Sequence, residues 1–202
     1  MQTSHRAHRA LPDLLTLVGS RTGHFRLESG HHTDRWLELD QLFVRLAVLR
    51  PFVTELAGRV ASHGVDTVCG PLSGGAFLAE LMALELGVEF VFAERVVRQR
   101  AGLFPVDYGI PLALRAGLRG KRVAIVDDAI SMGSAVRATV ADLETCHATL
   151  VVIGALIVMG PAGPEFAAAR GLPLERLTDL PLHTWLPAEC QLCASGSPVA
   201  DP

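Results

Sequence analysis

The sequence predicts an α/β fold, a mainly parallel central sheet with helices on both faces. Short apolar runs alternate with longer stretches of helical periodicity, which is the pattern of successive strand–helix–strand units. Gly and Pro punctuate the joints between them. Two of the strand-to-helix joints are also rich in Gly and hydroxyl residues, at the carboxyl ends of strands, where open α/β sheets bind their ligands.

Leu11, Leu14, Leu15 and Val18 recur at helical spacing and predict a helix over 11–20, closing near Gly19. Residues 24–27 and 35–40 alternate apolar and polar, predicting two short strands joined by a solvated loop over 29–34. Within that loop His31, His32 and Asp34 could suggest a metal site, but adjacent histidines rarely ligate one ion together. Residues 46–63 predict an amphipathic helix stopped by Gly64, then a buried strand over 65–69 and a tight loop over 70–75. A helix over 76–86 ending at Gly87 and a strand over 88–93 follow. Residues 95–108 are polar, Arg-rich and interrupted by Gly102 and Pro105, and predict a hairpin turning near Arg100. A strand over 122–126, a helix from Ala135 to about His147 and a strand over 149–158 complete the pattern. With Pro161, Pro164, Pro173, Pro181 and Pro187, the remainder predicts an irregular segment with one short strand over 182–186 and a loose tail beyond Cys193.

At 202 residues, half of them apolar and 19% charged, the chain reads as one compact domain and not as a disordered one. A net charge of −3 gives no electrostatic footprint for nucleic acid. No apolar run approaches the ~18 residues of a membrane span. The first nine residues lack the apolar stretch of a secretory signal. Four cysteines at irregular spacing do not form a disulfide framework, so the expected setting is the cytoplasm. Lys121 is the only lysine among the 18 basic residues.

The most informative run is Val123-Ala124-Ile125-Val126-Asp127-Asp128-Ala129-Ile130-Ser131-Met132-Gly133-Ser134. Four apolar residues make a buried strand, two carboxylates follow, and a small hydroxyl- and Gly-bearing turn opens a helix. A helix N-terminus presents unpaired N–H groups and a favourable dipole to an anion. A phosphate cup with Ser131 and Ser134 hydroxyls, and a carboxylate pair about one sugar away, together suit a phosphorylated ribose. Gly70-Pro71-Leu72-Ser73-Gly74-Gly75 occupies the same strand-to-helix context, and its glycines let backbone N–H groups approach a second anion closely.

The run over 123–134 resembles the phosphoribosyl-pyrophosphate-binding signature of the type I phosphoribosyltransferases, in its orotate version, although Met132 replaces the small residue usual there. Two further stretches resemble orotate phosphoribosyltransferases. One is Phe25-Arg26-Leu27-Glu28-Ser29-Gly30 with Arg35-Trp36, beside the base pocket. The other is the Pro-rich tail with Cys190 and Cys193. The resemblance spans about Phe25 to Gly196. It implies a type I phosphoribosyltransferase fold with a small N-terminal hood over 11–45, a core over 46–160 and a C-terminal segment over 161–202. It implies transfer of ribose 5-phosphate from phosphoribosyl pyrophosphate to orotate, with Mg²⁺ arriving on the phosphoribosyl pyrophosphate and not on protein ligands, in a homodimer.

By the same resemblance, Asp127 and Asp128 hold the ribose hydroxyls and favour the cationic centre. Ala129, Ile130, Ser131, Met132, Gly133 and Ser134 cup the 5′-phosphate. Pro71, Leu72, Ser73, Gly74 and Arg95 take the pyrophosphate, and Ser29 and Gly30 flank the base. Arg98 and Arg100 fall in the stretch where the family carries a mobile catalytic loop. Relatives usually place lysines and a His-Gly pair there; this chain has neither, and Lys121 lies on the wrong side of that loop. Arginine can hold a pyrophosphate bidentately. Two other readings stay open: transfer to a different base such as xanthine or uracil, and a regulator that binds phosphoribosyl pyrophosphate without chemistry. For Cys190 and Cys193, half of a zinc ligand set, packing of the tail is the expectation, since neither Cys69 nor Cys146 is an obvious completer.

Overall fold

The computed structural model describes residues 13–97 and 102–201. Nine strands and seven α-helices are assigned within them: β1 (Gly19–Arg26), β2 (His32–Glu38), α1 (Gln41–Val44), α2 (Leu46–Ala61), β3 (Thr67–Pro71), α3 (Gly74–Leu86), β4 (Glu89–Val97), β5 (Val106–Gly109), α4 (Leu112–Arg115), β6 (Arg122–Ile130), α5 (Ser134–Thr145), β7 (Thr149–Met159), α6 (Ala162–Ala169), β8 (Leu174–Leu180), β9 (Thr184–Trp185) and α7 (Gln191–Ala194). Six strands form the main sheet in the order β5-β4-β3-β6-β7-β8, parallel except for β5 on one edge. A small antiparallel sheet, β1-β2-β9, stands apart from it as the hood.

The central strands β3, β6 and β7 are buried on both faces, as parallel strands between crossover helices must be. Along β6 the side chains alternate between two cores. Val123 and Ile125 pack with Val136, Val140 and Leu143 of α5. Ala124 and Val126 pack with Phe52, Leu56 and Val60 of α2 and Leu78 and Met82 of α3. The period-2 alternation of the strand thus delivers one sequence run to both layers.

Four expectations change. The helix over 11–20 is a single 3-10 turn, Leu14–Leu17, with Asp13 Oδ1 accepting from Leu15 N, and residues 11 and 12 lie outside the described set. Pairing of Gly19 with Glu38 captures the rest for β1. The solvated loop over 29–34 is shorter than expected, because His32, Thr33 and Asp34 belong to β2. His31 and His32 are buried.

The third change is at β6, which runs on through Asp127 and Asp128, held by β7 in the pairs Asp127 with Ala155 and Ala129 with Ile157. Last, the segment over 161–202 is not irregular. It supplies α6, edge strand β8 and hood strand β9, which is shorter than the expected 182–186. Pro161 and Pro164 stand at the start of α6, where a missing N–H costs nothing. Nor is the tail loose: Ala200 bridges to Phe25, and Asp201 accepts two hydrogen bonds from Arg26 at 2.8 and 2.7 Å.

Leu56 is fully buried where α2 meets the sheet. Leu56→Ala is expected to lower unfolding free energy by about 2–5 kcal/mol, read from urea denaturation followed by circular dichroism.

Candidate active site

Asp127 and Asp128 occupy consecutive positions near the end of β6 and are 8% and 9% exposed. Asp128 N donates to Asp127 Oδ1 at 3.1 Å, and Ala129 N donates to Asp128 Oδ1 at 2.8 Å, so both carboxylates turn back toward the strand end. Among the described residues no cation forms an ion pair with either. Burial raises both carboxyl groups above the ordinary 3.8, and for Asp127 the neighbouring Asp128 charge adds to the rise.

The loop between β3 and α3 lies directly on this pair. A Cβ on Gly74 would collide with the Asp128 carboxylate, and one on Gly75 would sit 2.6 Å from Asp127 Oδ1. Only glycine permits that approach. The Leu72–Ser73 peptide within this loop is cis, and Leu72 N donates to Ala93 O at 2.9 Å. Pro71 is the buried last residue of β3, while Leu72 is part-exposed beside the cavity.

On the other side of the pair, the turn after β6 leads into the N-terminus of α5. Gly133 precedes that helix in the left-handed region, φ +73°, which an L side chain rarely adopts. Arg137, one turn into α5, fastens the turn: its Nε donates to Met132 O at 3.1 Å and Nη2 to Ala162 O at 3.1 Å. The Arg137 guanidinium also stacks on Phe166, 4.4 Å from the ring centre. Ala129, Ser131, Gly133 and Ser134 line a cavity of about 170 Å³ together with Asp127. Ile130 does not; its side chain is 2% exposed in the α5-side core. It belongs to the packing under the turn, as does Met132 through its carbonyl.

Beyond this small cavity a larger one of about 450 Å³ is lined by Pro71, Leu72, Ser73, Gly74, Arg95, Asp127 and Asp128. Asp127, Glu28 and Trp36 border both, so the two form one cleft under the hood. Glu28 ties the hood to the β4–β5 hairpin, accepting from Tyr108 Oη at 3.0 Å and pairing with Arg95 Nε at 3.3 Å. Burial, and then Glu28, push the Tyr108 hydroxyl up from its ordinary value. Ser29 is buried and borders the smaller cavity; its carbonyl accepts from Phe104 N at 2.9 Å, and its hydroxyl lies 3.1 Å from His31 Nδ1. Gly30 borders a third, outer cavity instead.

β4 and β5 pair antiparallel with Arg95 opposite Tyr108, and the turn expected near Arg100 lies outside the described residues. Arg98 and Arg100 lie outside the described residues. Lys121 is remote from the cleft, pairing with Glu89 beside the amino end of β6 at 2.9 Å.

Residues 50–170 match the family described as phosphoribosyl transferase domain. This chain belongs to the phosphoribosyltransferase family. It is 30% identical to an orotate phosphoribosyltransferase of Caldanaerobacter subterraneus over 89% of this chain and 88% of that one. Against the orotate phosphoribosyltransferase of Thermotoga maritima it is 31% identical, over 89% of each. Among solved structures, the fold is similar to adenine phosphoribosyltransferase from Trypanosoma brucei, TM-score 0.66 at 19% identity over 81% of this chain and 76% of that one. It is also similar to orotate phosphoribosyltransferase from Aeropyrum pernix, TM-score 0.61 at 21% identity over 80% and 88%. The type I phosphoribosyltransferase fold expected from the sequence is therefore the fold observed.

The structure adds Glu28, Trp36, Asp40 and Tyr108 to the cleft and Arg137 beneath its turn. Glu28 and Trp36 fall inside the hood motif over 25–36 but carry no chemical signal there by themselves. Arg137 had no signal, being one arginine on an ordinary amphipathic helix.

The buried pair makes a stability prediction. A carboxyl raised in the folded state keeps its proton while the unfolded chain loses one, so stability falls as pH climbs from about 3.8 toward the folded value. Asp127→Asn removes that penalty. In magnesium-free buffer its melting temperature should exceed that of the wild type at pH 7, the gap closing toward pH 4, as scanning calorimetry across pH would read.

Proposed function

We propose that this phosphoribosyltransferase transfers ribose 5-phosphate from phosphoribosyl pyrophosphate to a ring nitrogen of orotate, releasing pyrophosphate, in pyrimidine nucleotide formation. The observation that carries the reaction is one cleft in which a buried carboxylate pair separates a helix-N-terminal turn from a glycine loop. The choice of orotate is supported by relatives of that name at about 30% identity across most of the chain.

In this reading the turn over 131–134 takes the 5′-phosphate on backbone N–H groups and the Ser131 and Ser134 hydroxyls, with the α5 dipole behind them. Asp127 and Asp128 accept from the ribose 2′ and 3′ hydroxyls. As the C1′–oxygen bond breaks, its electron pair leaves with pyrophosphate and positive charge grows at C1′ beside the two carboxylates. The ring nitrogen of the base then forms the new bond. The loop over 71–74 and Arg95 face the departing pyrophosphate, where donors that strengthen with developing charge lower the barrier.

Mg²⁺ carried by phosphoribosyl pyrophosphate would fit this cleft, because the Asp127 and Asp128 carboxylates that line it meet no cation among the described residues. Bound with phosphoribosyl pyrophosphate, the ion would neutralise part of the charge on the departing pyrophosphate. Arg98 and Arg100 belong to the proposal as cations for the departing pyrophosphate, in place of the lysine usual in relatives. A cytoplasmic setting is supported by cysteine usage, since none of the four cysteines is in a disulfide. A homodimer is supported by exposed Val44, Phe77 and Leu84 on α1 and α3, and sedimentation tests it.

A regulator that binds phosphoribosyl pyrophosphate without transfer is the second reading, favoured by the absent loop lysine. Steady-state assay with orotate, uracil, xanthine and adenine decides: turnover is expected with orotate foremost, and tight ligand binding with no turnover on any base would establish the regulator.

Asp127→Asn combined with Asp128→Asn should cut kcat/KM more than tenfold, a loss above about 1.4 kcal/mol, with an unchanged circular dichroism spectrum. Retention of more than a tenth would remove the pair from the ribose contact. Gly133→Val, which crowds the backbone approach, should weaken phosphoribosyl pyrophosphate binding in calorimetry. Alanine at Arg98 or Arg100 should lower kcat more than it raises KM for that substrate.

A further inference from the structure

Away from the cleft, one group of His, Cys and acidic side chains among the described residues converges closely enough to share an ion: His24, His32, Cys190 and Cys193. The four come from separate places. His24 is on β1, His32 opens β2, and Cys190 and Cys193 flank and occupy α7 near the chain end. Their ligand atoms all lie within 4.8 Å of one another. His24 Nε2 is 3.0 Å from His32 Nδ1, 3.4 Å from Cys190 Sγ and 3.7 Å from Cys193 Sγ, while Cys193 Sγ is 3.3 Å from His32 Nδ1.

Those separations are the edges of a ligand tetrahedron. With Zn–N of about 2.0–2.1 Å and Zn–S of about 2.3 Å, tetrahedral geometry requires N···N near ~3.3 Å and N···S near ~3.6 Å. Hydrogen bonding alone accounts for the cluster poorly. His24 Nδ1 lies 2.8 Å from the Ser197 carbonyl, so that nitrogen is the donor and Nε2 offers a single lone pair. Three atoms approach that one lone pair. The Ser197 contact is instead the outer hydrogen bond that fixes a metal-ligating imidazole. His24, His32 and Cys190 are each under 8% exposed, so an ion there would be shielded by protein, as a structural site requires.

We infer that His24 Nε2, His32 Nδ1, Cys190 Sγ and Cys193 Sγ form a structural zinc site that clamps the hood to the C-terminal segment. The Cys-x-x-Cys spacing is that of many such sites, and four protein ligands leave no open position for catalysis. Its place explains its use. The β1–β2 ribbon it grips carries Leu27 to Ser29 and Trp36 to the cleft, and β9 joins His32 through its pairing with Trp185. The packed tail expected for Cys190 and Cys193 is present, and the two histidines supply the missing half of the ligand set.

The test is metal content of the full-length chain, which does not depend on its catalytic activity. Protein expressed with zinc in the medium should retain about one zinc per chain through gel filtration, by plasma mass spectrometry. Chain produced in cobalt medium should show the intense visible d–d bands and sulfur-to-cobalt charge transfer of a tetrahedral S₂N₂ site. Cys193→Ser and His24→Ala should each reduce retained metal more than tenfold, and chelation should lower the wild-type melting temperature. The assignment is overturned if the wild type holds under a tenth of an equivalent and shows no tetrahedral cobalt spectrum. A Cys190–Cys193 disulfide in protein purified under reducing conditions, or undiminished metal in both variants, overturns it as well. The wild-type cobalt spectrum settles the matter even if a variant does not fold.

Discussion

Two adjacent carboxylates held out of water near the end of β6 are the constraint around which the rest of the molecule is arranged. Taking a single unpaired carboxylate into the interior is costly, and a second beside it costs more. The fold accommodates them with the two backbone N–H groups donated by Asp128 and Ala129, and with a loop that brings backbone instead of side chains against them. The glycines of the β3–α3 loop follow from that contact. The depth of the sheet follows too, since β6 must be flanked by β3 and β7 and covered by helices on both faces to hold these positions fixed. In the proposed reaction a cation-bearing, hydroxyl-rich ligand would offset that cost.

Much of this was legible because strand and loop chemistry coincide in the sequence. The run from Val123 to Ser134 carries its burial pattern, its carboxylates and its helix start in consecutive residues, so local reading suffices. The β3–α3 loop was legible for the same reason. The loop's contact with the Asp pair was not, because nothing in Gly74 or Asp128 alone reports that one lies against the other. β6 runs longer than its apolar stretch predicts, since Asp is a poor strand former and only pairing with Ala155 and Ile157 of β7 overrides that preference.

The parts of the fold that local sequence does not report lie at the two ends of the chain, and they share one cause. The hood is assembled from remote segments: β1 and β2 near the amino end, β9 and the Ala200 bridge near the carboxyl end. A three-stranded sheet made this way has little local signature. His32 reads as loop until Trp185 is placed beside it, and the prolines around β8 read as breakers until they are seen to flank a strand. The His24, His32, Cys190 and Cys193 cluster was invisible for that reason, since its halves are separated by more than 150 residues.

The division of labour between sheet and hood bears on which base is accepted. In the proposed reaction, ribose, phosphate and pyrophosphate would meet groups at the ends of β3 and β6, positions that any acceptor would share. Discrimination must then come from the wall that the shared groups do not build, which is the hood face with Leu27, Arg35 and Trp36 and the outer cavity beside Leu186 and Pro187. Arg35 is the one cation bordering the smaller cavity among the described residues, and a cation there favours an acceptor that carries a negative charge over a neutral one. Orotate carries a carboxylate, while uracil does not. The hood also lacks a deep core of its own, so its shape depends on what ties it down: the Glu28 contacts with Tyr108 and Arg95 on one side, the docked C-terminal segment on the other. Under the proposed function, specificity would therefore rest on the part of the fold that is least able to hold its geometry alone.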